Sequence, residues 1–299
     1  MKNRKTSWLF FALTTTLTWG VWGAFSEIPA QQGFPSTMVY IVWALSMIPC
    51  AIVALRLNGW KLDHDRKSVV LGCSVGLLGA GGQLILFEAL RFGPAYVVFP
   101  FVSMSPVVTI AMSMLLLKER ANRTQWAGII IALAAIFFLS WQDPTDKNVH
   151  GFLWIILASL VFFMWGVQGY VMKFANGSMK AESVFFYMAL TAVVLTPVAY
   201  FMTDFGASGT VISMRLASVG FLTQLLNAIG ALTLVYAYRY GKAIIVSPMT
   251  GLAPLITIIL SLVIYSKIPS NWLLTGLVLA TIALVALSIE PKPKKNRQG

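Results

Sequence analysis

Glu88 is the one acidic residue that falls well inside a long apolar stretch, and Arg91 follows three positions on. A carboxylate at the centre of a bilayer costs about 2.5–3.5 kcal/mol on insertion scales, so such a group faces a cavity or a partner. Two readings stand. Glu88 binds a substrate amine or a coupling proton, its proton affinity raised by burial, or it closes an i,i+3 salt bridge with Arg91 near the helix end. Thr15, Trp19, Trp22 and Ser26 recur at steps of four, three and four, which puts them on one helical face. Hydroxyls mixed with indoles suit a pocket for a ring or a cation, whereas the same indoles also serve as interhelical packing or an interfacial belt. Trp165 and Gln168 offer a related pair later in the chain, and Gln224 and Asn227 place two amides three residues apart in mid-stretch. Amides there either hydrogen-bond a polar solute or join two helices. Tyr236 stands at the position equivalent to Glu88 in a second copy described below. Gln83, five residues before Glu88, points about 140° away around a helix and belongs to a different face.

Other chemistries fail on residue supply. Gly72-Cys73-Ser74-Val75-Gly76 fits the G-x-S-x-G nucleophile pattern, yet His64 and His150 fall in loops expected on opposite sides of a membrane, so the serine has no base. There is no Walker A sequence and no cluster of His, Cys and acids of metal-binding spacing. Cys50 and Cys73 lie in apolar runs and read as small buried hydrophobes. No enzyme activity, cofactor or metal is expected. The net charge of +12 could suggest nucleic acid, but charged residues are only 11% of the chain and lie beside apolar segments.

The elements that must position these residues are membrane spans. Apolar residues make up 58% of 299, far above a soluble domain. Ten stretches reach the length that a helix needs to cross a bilayer, near 7–26, 36–56, 69–90, 95–117, 124–141, 151–173, 183–203, 217–238, 243–265 and 271–289. The first is read as a retained helix and not as a signal peptide. With the N-terminus inside, 18 of the 22 Lys and Arg fall in cytoplasmic loops and tails, and only Arg91, Lys147, Arg215 and Lys267 fall outside. The basic tail from Lys292 to Arg297 is read as a solvated segment beside anionic lipid. Both termini are therefore expected in the cytoplasm.

The second half repeats the first. At an offset of 148, the stretch from Leu77 to Ile110 shows 15 identities in 34 positions, among them Pro100 with Pro248, Pro106 with Pro254 and Thr109 with Thr257. A slip of two residues, to an offset of 146, aligns Trp19-Gly20-Val21-Trp22-Gly23 with Trp165-Gly166-Val167-Gln168-Gly169. The expected fold is all-α and integral to the membrane, with ten transmembrane helices as two five-helix units, 1–143 and 144–299. Five is odd, so the second unit enters from the opposite side. Inverted repeats of this kind build alternating access around a site near the midplane. The helix 4 and 9 prolines invite kinks there. Gly72, Gly76, Gly79 and Gly82 are read as close-packing positions in helix 3, and Glu119 as an acid at the positive start of helix 5.

Leu90-Arg91-Phe92-Gly93-Pro94-Ala95, the Pro100 and Pro106 helix, Leu117-Lys118-Glu119-Arg120 with Gln125 and Gly128, and the paired Trp-Gly openings together resemble the drug/metabolite transporter superfamily, EamA type. The resemblance covers essentially the whole chain. It implies a ten-helix carrier of the bacterial inner membrane that moves small metabolites, often outward. Lys267 departs from it, standing where the second copy would carry the acid equivalent to Glu119. The expected function is secondary transport of an amino-acid-like or other ring-bearing or amino solute, more often outward, driven by proton exchange or by the solute gradient. The expected solute-binding residues are Trp19, Trp22, Glu88, Trp165, Gln168, Gln224, Asn227 and Tyr236. The alternative is a non-transporting scaffold or sensor that keeps the duplicated fold.

Overall fold

A computed structural model describes residues 4–92, 95–140, 152–265 and 270–288. Every regular element among them is helical. The order is α1 (Arg4–Phe25), α2 (Glu27–Gln31), α3 (Ser36–Leu57), α4 (Arg66–Phe92), α5 (Ala95–Ser103), α6 (Pro106–Leu116), α7 (Arg123–Ser140), α8 (Leu153–Ala175), α9 (Ala181–Val194), α10 (Thr196–Phe201), α11 (Met214–Tyr240), α12 (Ala243–Thr250), α13 (Ala253–Tyr265) and α14 (Asn271–Ser288). Six helical stretches are long and apolar enough to cross a membrane: Ser36–Leu57, Arg66–Phe92, Leu153–Ala175, Ala181–Phe201, Met214–Tyr240 and Ala243–Leu260. Phe101–Leu116, Arg123–Leu139 and Asn271–Leu287 are shorter apolar helices. The chain is thus an integral membrane protein whose outer surface carries exposed Val53, Ile130, Leu222 and Val285 for lipid to cover.

Three stretches break where proline removes a backbone donor. The α5–α6 break precedes Pro106, the α9–α10 break precedes Pro197, and the α12–α13 break precedes Pro254. Pro49, which aligns with Pro197, is carried inside α3 without a break.

The repeat seen in the sequence is built into the packing. α1 lies on α11 and α13, and α8 lies on α4 and α6. Thr109 Oγ1 donates to Gly166 O at 2.7 Å, and its mate Thr257 Oγ1 donates to Gly20 O at 2.8 Å. Trp165 Nε1 donates to Gly79 O at 3.3 Å, and Trp19 Nε1 donates to Asn227 O, the equivalent carbonyl, at 3.2 Å. The glycines make room in pairs as well. A Cβ at Gly20 would strike Ile256, and one at Gly166 would strike the equivalent Val108. Gly128 receives Leu287, and Gly276 receives Leu139. Glycines 72, 76, 79 and 82 do take close neighbours, Tyr187 and Thr191 of α9 for the first two and Gln168 and Trp165 of α8 for the others.

Loops rich in Lys and Arg gather at one face, here the basic face. Asp63 accepts from Lys180 N at 2.7 Å and from Ser183 Oγ at 3.0 Å, and Lys180 Nζ donates to Asn58 Oδ1 at 3.1 Å. At another face Val211 N donates to Gly33 O at 2.9 Å, and the hydroxyls of Thr37 and Thr203 meet at 2.7 Å.

Candidate functional site

The helical stripe of α1 docks on α11. Thr15 Oγ1 donates to Gly230 O at 3.2 Å and lies 2.8 Å from Thr233 Oγ1. One turn on, Trp19 Nε1 reaches Asn227 O, and Trp22 Nε1 donates to Gln224 Oε1 at 3.1 Å. Asn227 Nδ2 points to the same Oε1 at 3.4 Å, so the buried Gln224 carbonyl receives two donors. Four of the expected site residues, Trp19, Trp22, Gln224 and Asn227, therefore form one cluster. Both indoles and Asn227 keep part of their surface open while their polar ends are held.

Trp165 and Gln168 form the matching seam between α8 and α4. Gln168 Nε2 donates to Val75 O at 3.2 Å, just above the Trp165 contact with Gly79 O. Where α11 presents Gln224 and Asn227, α4 presents Gly76 and Gly79, so bare backbone replaces amide side chains. The two seams share a plan and differ in their polar groups.

The remaining two expected residues stand apart from these clusters. Glu88 is 31% exposed and takes two hydrogen bonds from Arg91 Nη1, at 3.0 and 3.2 Å, on its own helix. Of the two readings, the ion pair at the helix end is the contact present. Tyr236 donates to Glu182 Oε1 at 2.7 Å and stacks on Phe11 with ring centroids 5.0 Å apart. Its neighbour Arg239, the equivalent of Arg91, donates to Met179 O at 2.8 Å. Equivalent positions thus bridge helices at the basic face and pair within α4 at the other end.

Glu119 does not cap the helix that follows it. It was expected to serve the start of the helix that follows it, but α7 is capped by its own residues: Gln125 N donates to Asn122 Oδ1 at 2.8 Å, and Asn122 N donates to Gln125 Oε1 at 3.1 Å. The Glu119 carboxylate instead accepts from Ile244 N at 3.1 Å, at the start of α12 in the other repeat. The local cause is the end of α6. Lys118 takes a left-handed φ of 54°, and Glu119 N turns back to Ser113 O at 3.1 Å, which swings the carboxylate across. Its other oxygen lies 4.0 Å from Lys173 Nζ. Burial pushes the Glu119 carboxyl up from its ordinary value, against the pull of the backbone donors and of Lys173 and Lys242. The sequence signal was weak: an acid in a chain with only 10 of them, next to the break between two apolar helices. Among the described residues no group of His, Cys, Asp and Glu could hold a metal ion. Lys267 and Lys147 lie outside the described residues.

Comparison with known proteins adds an independent finding. The EamA-like transporter family matches this chain twice, over residues 6–141 and 152–289. The protein RarD of Streptomyces exfoliatus is 23% identical over 96% of this chain and 90% of its own length. The pseudopaline exporter CntI of Pseudomonas aeruginosa is 23% identical over 83% of this chain and 85% of its own. A solved crystal structure superposes with a TM-score of 0.76 at 17% identity, covering 95% of this chain and 96% of that one, which supports the fold alone.

Proposed function

The chain belongs to the EamA-like transporter family, and from that premise we propose that it is a secondary carrier working by alternating access. Ten spans, in two five-helix units of opposite orientation, cross the bacterial inner membrane with both termini in the cytoplasm. The basic face is then the cytoplasmic one, in keeping with the excess of Lys and Arg there. The solute is a small metabolite of amino-acid-like or other ring-bearing or amino character, and its direction is outward. The exporter CntI among the relatives supports that direction.

The observation that carries this reading is the doubled seam. Trp19 of α1 against α11 and Trp165 of α8 against α4 make the same indole-to-carbonyl contact in the two repeats. Two similar seams that can exchange which end is tightly packed are what an inverted-repeat carrier requires. Trp19, Trp22, Gln224 and Asn227 on one seam, and Trp165 and Gln168 on the other, line the solute path in this proposal. The half-open indole faces suit a ring or an ammonium group, and the amides orient a polar end. Tyr236 and Glu88 occupy the equivalent ends of α11 and α4, with Glu88 as the coupling residue of this reading.

Export from cells carrying the wild type, Trp22→Ala, Gln224→Leu or Glu88→Gln tests the assignment. Saturable efflux that the first two substitutions reduce, at equal amounts of protein in the membrane, supports the path. Glu88→Gln with unchanged efflux and unchanged pH dependence returns Glu88 to a structural pair.

A further inference from the structure

The basic face holds a buried acid that the two seams leave unused. Glu119 sits between α6 of the first repeat and α12 of the second, so one carboxylate ties the broken helices of both repeats together. Its side chain is only 10% exposed. Lys173 of α8 reaches the same place, donating to Tyr238 O at 2.9 Å and Gly241 O at 2.5 Å and lying 4.0 Å from Glu119 Oε1. Lys242, just before α12, is held by Arg120 O at 2.6 Å. A cavity of about 410 Å³ adjoins the pair and is lined by Lys67, Leu117, Phe174 and Ser178 among others. The charged and titratable groups facing Glu119 are therefore Lys173 from α8, Lys242 ahead of α12, Tyr238 from α11 and Lys67 from α4 across the cavity.

The contacts that close this face persist when Glu119 is protonated, while protonation removes the cost of holding a desolvated charge there. Lys173 keeps two carbonyl acceptors whether or not Glu119 is ionised, and a carboxyl oxygen accepts from Ile244 N in either state. Glu119 and Lys173 themselves line this cavity, and separating α11 and α12 from α8 would bring water to the side of the carboxyl now held against Ile244 N. We propose that Glu119 is a proton-binding site of the transport cycle, which holds a proton while the basic face is closed and gives it up to cavity water when that face opens. The proposal rests on the carrier reading and names a titrating group distinct from Glu88. The sign follows from linkage. Burial raises the proton affinity of Glu119 in the closed form, and hydration on opening returns it to the ordinary range, so low pH favours closure and rising pH favours opening. The proton that Glu119 takes up on closing and releases on opening makes the balance between the two orientations depend on pH at the basic face.

The test needs no solute. Full-length protein in lipid nanodiscs is followed by amide exchange over residues 171–182 and 236–247 between about pH 5 and about pH 8, after correction for the intrinsic effect of pH. In the wild type the opening of these segments increases with pH, by up to about tenfold per unit, the limit for one proton. Glu119→Gln, neutral at every pH, keeps the slow exchange throughout. An equal pH response in wild type and Glu119→Gln, or wild-type opening that decreases as pH rises, overturns the proposal. Should Glu119→Gln not fold, the infrared carboxyl band of wild type labelled with ¹³C-glutamate supplies the answer. A protonated band that persists above the ordinary glutamate range and is missing in Glu119→Asp supports the proposal, and its absence in the wild type overturns it. Saturable efflux without any pH response defeats this inference and leaves the carrier reading intact. A pH response that Glu119→Gln abolishes, in a protein that moves no solute, overturns the carrier reading and with it the place of Glu119 in a transport cycle.

Discussion

Gln224 Oε1 takes the N–H of Trp22 and the amide of Asn227 within a buried seam, so replacing it strips two donors at once. Leaving buried donors unmet costs about 1–3 kcal/mol, against about 0.5–1.5 kcal/mol for one ordinary hydrogen bond. Gln224→Leu should therefore lower the thermal stability more than Trp22→Phe. If the cluster also lines the path, Gln224→Leu raises the KM for efflux in protein that remains folded. Glu119 gives a pH prediction with a fixed sign. Its folded-state proton affinity is raised, so its contribution to stability is fully present below the unfolded-state value and is lost as pH rises through the folded one. The unfolding temperature should fall over that window in the wild type and stay flatter in Glu119→Gln.

At the scale of elements, the pairing of equivalent contacts makes a quantitative claim. Thr109→Val and Thr257→Val each remove one hydroxyl-to-carbonyl bond of nearly equal length, so each should cost about 1 kcal/mol and the two costs should agree. Gly20→Leu and Gly166→Leu force side chains against Ile256 and Val108 and should both overpack their seams by about 1–3 kcal/mol or more. Lys118 occupies a left-handed turn, where a side chain costs roughly 1 kcal/mol. Lys118→Gly should raise stability while leaving Glu119 in place, as thermal unfolding would register. The seams were legible in the sequence because Thr109 and Thr257, Gly20 and Gly166, and Trp19 and Trp165 recur at nearly constant offsets, and contacts made twice leave their mark twice. The breaks before Pro106 and Pro254 were legible for the same reason, whereas the one before Pro197 was not, since its mate Pro49 lies inside an unbroken α3. The α12 contact of Glu119 was not, because it joins distant positions through a left-handed residue that no helical period signals.

For the molecule as a whole, sequence reasoning reached the all-helical duplicated membrane fold and the family, while the partners of its polar residues had to come from the structure. Glu88 shows why. Its position within a long apolar stretch marked it out, yet what it meets depends on where α4 ends, and Arg91 is there. Orientation is the next large-scale prediction. The hydrogen-bonded loops of the basic face should lie in the cytoplasm, and the loop at 204–210 outside. In protein with Cys50 and Cys73 replaced by Ala, a membrane-impermeant maleimide added to intact cells should label Ser208→Cys and spare Ser178→Cys, both exposed sites. The reverse pattern would invert the assignment of faces.

The central claim is that this chain carries a small metabolite out of the cell. The most direct measurement compares metabolites inside and outside cells that lack the protein, overproduce it, or overproduce Gln224→Leu at equal membrane levels. The account predicts a ring-bearing or amino solute whose saturable appearance outside rises with the wild type and falls back with the variant. Unchanged solutes on both sides, with the wild type inserted normally in the membrane, would contradict it.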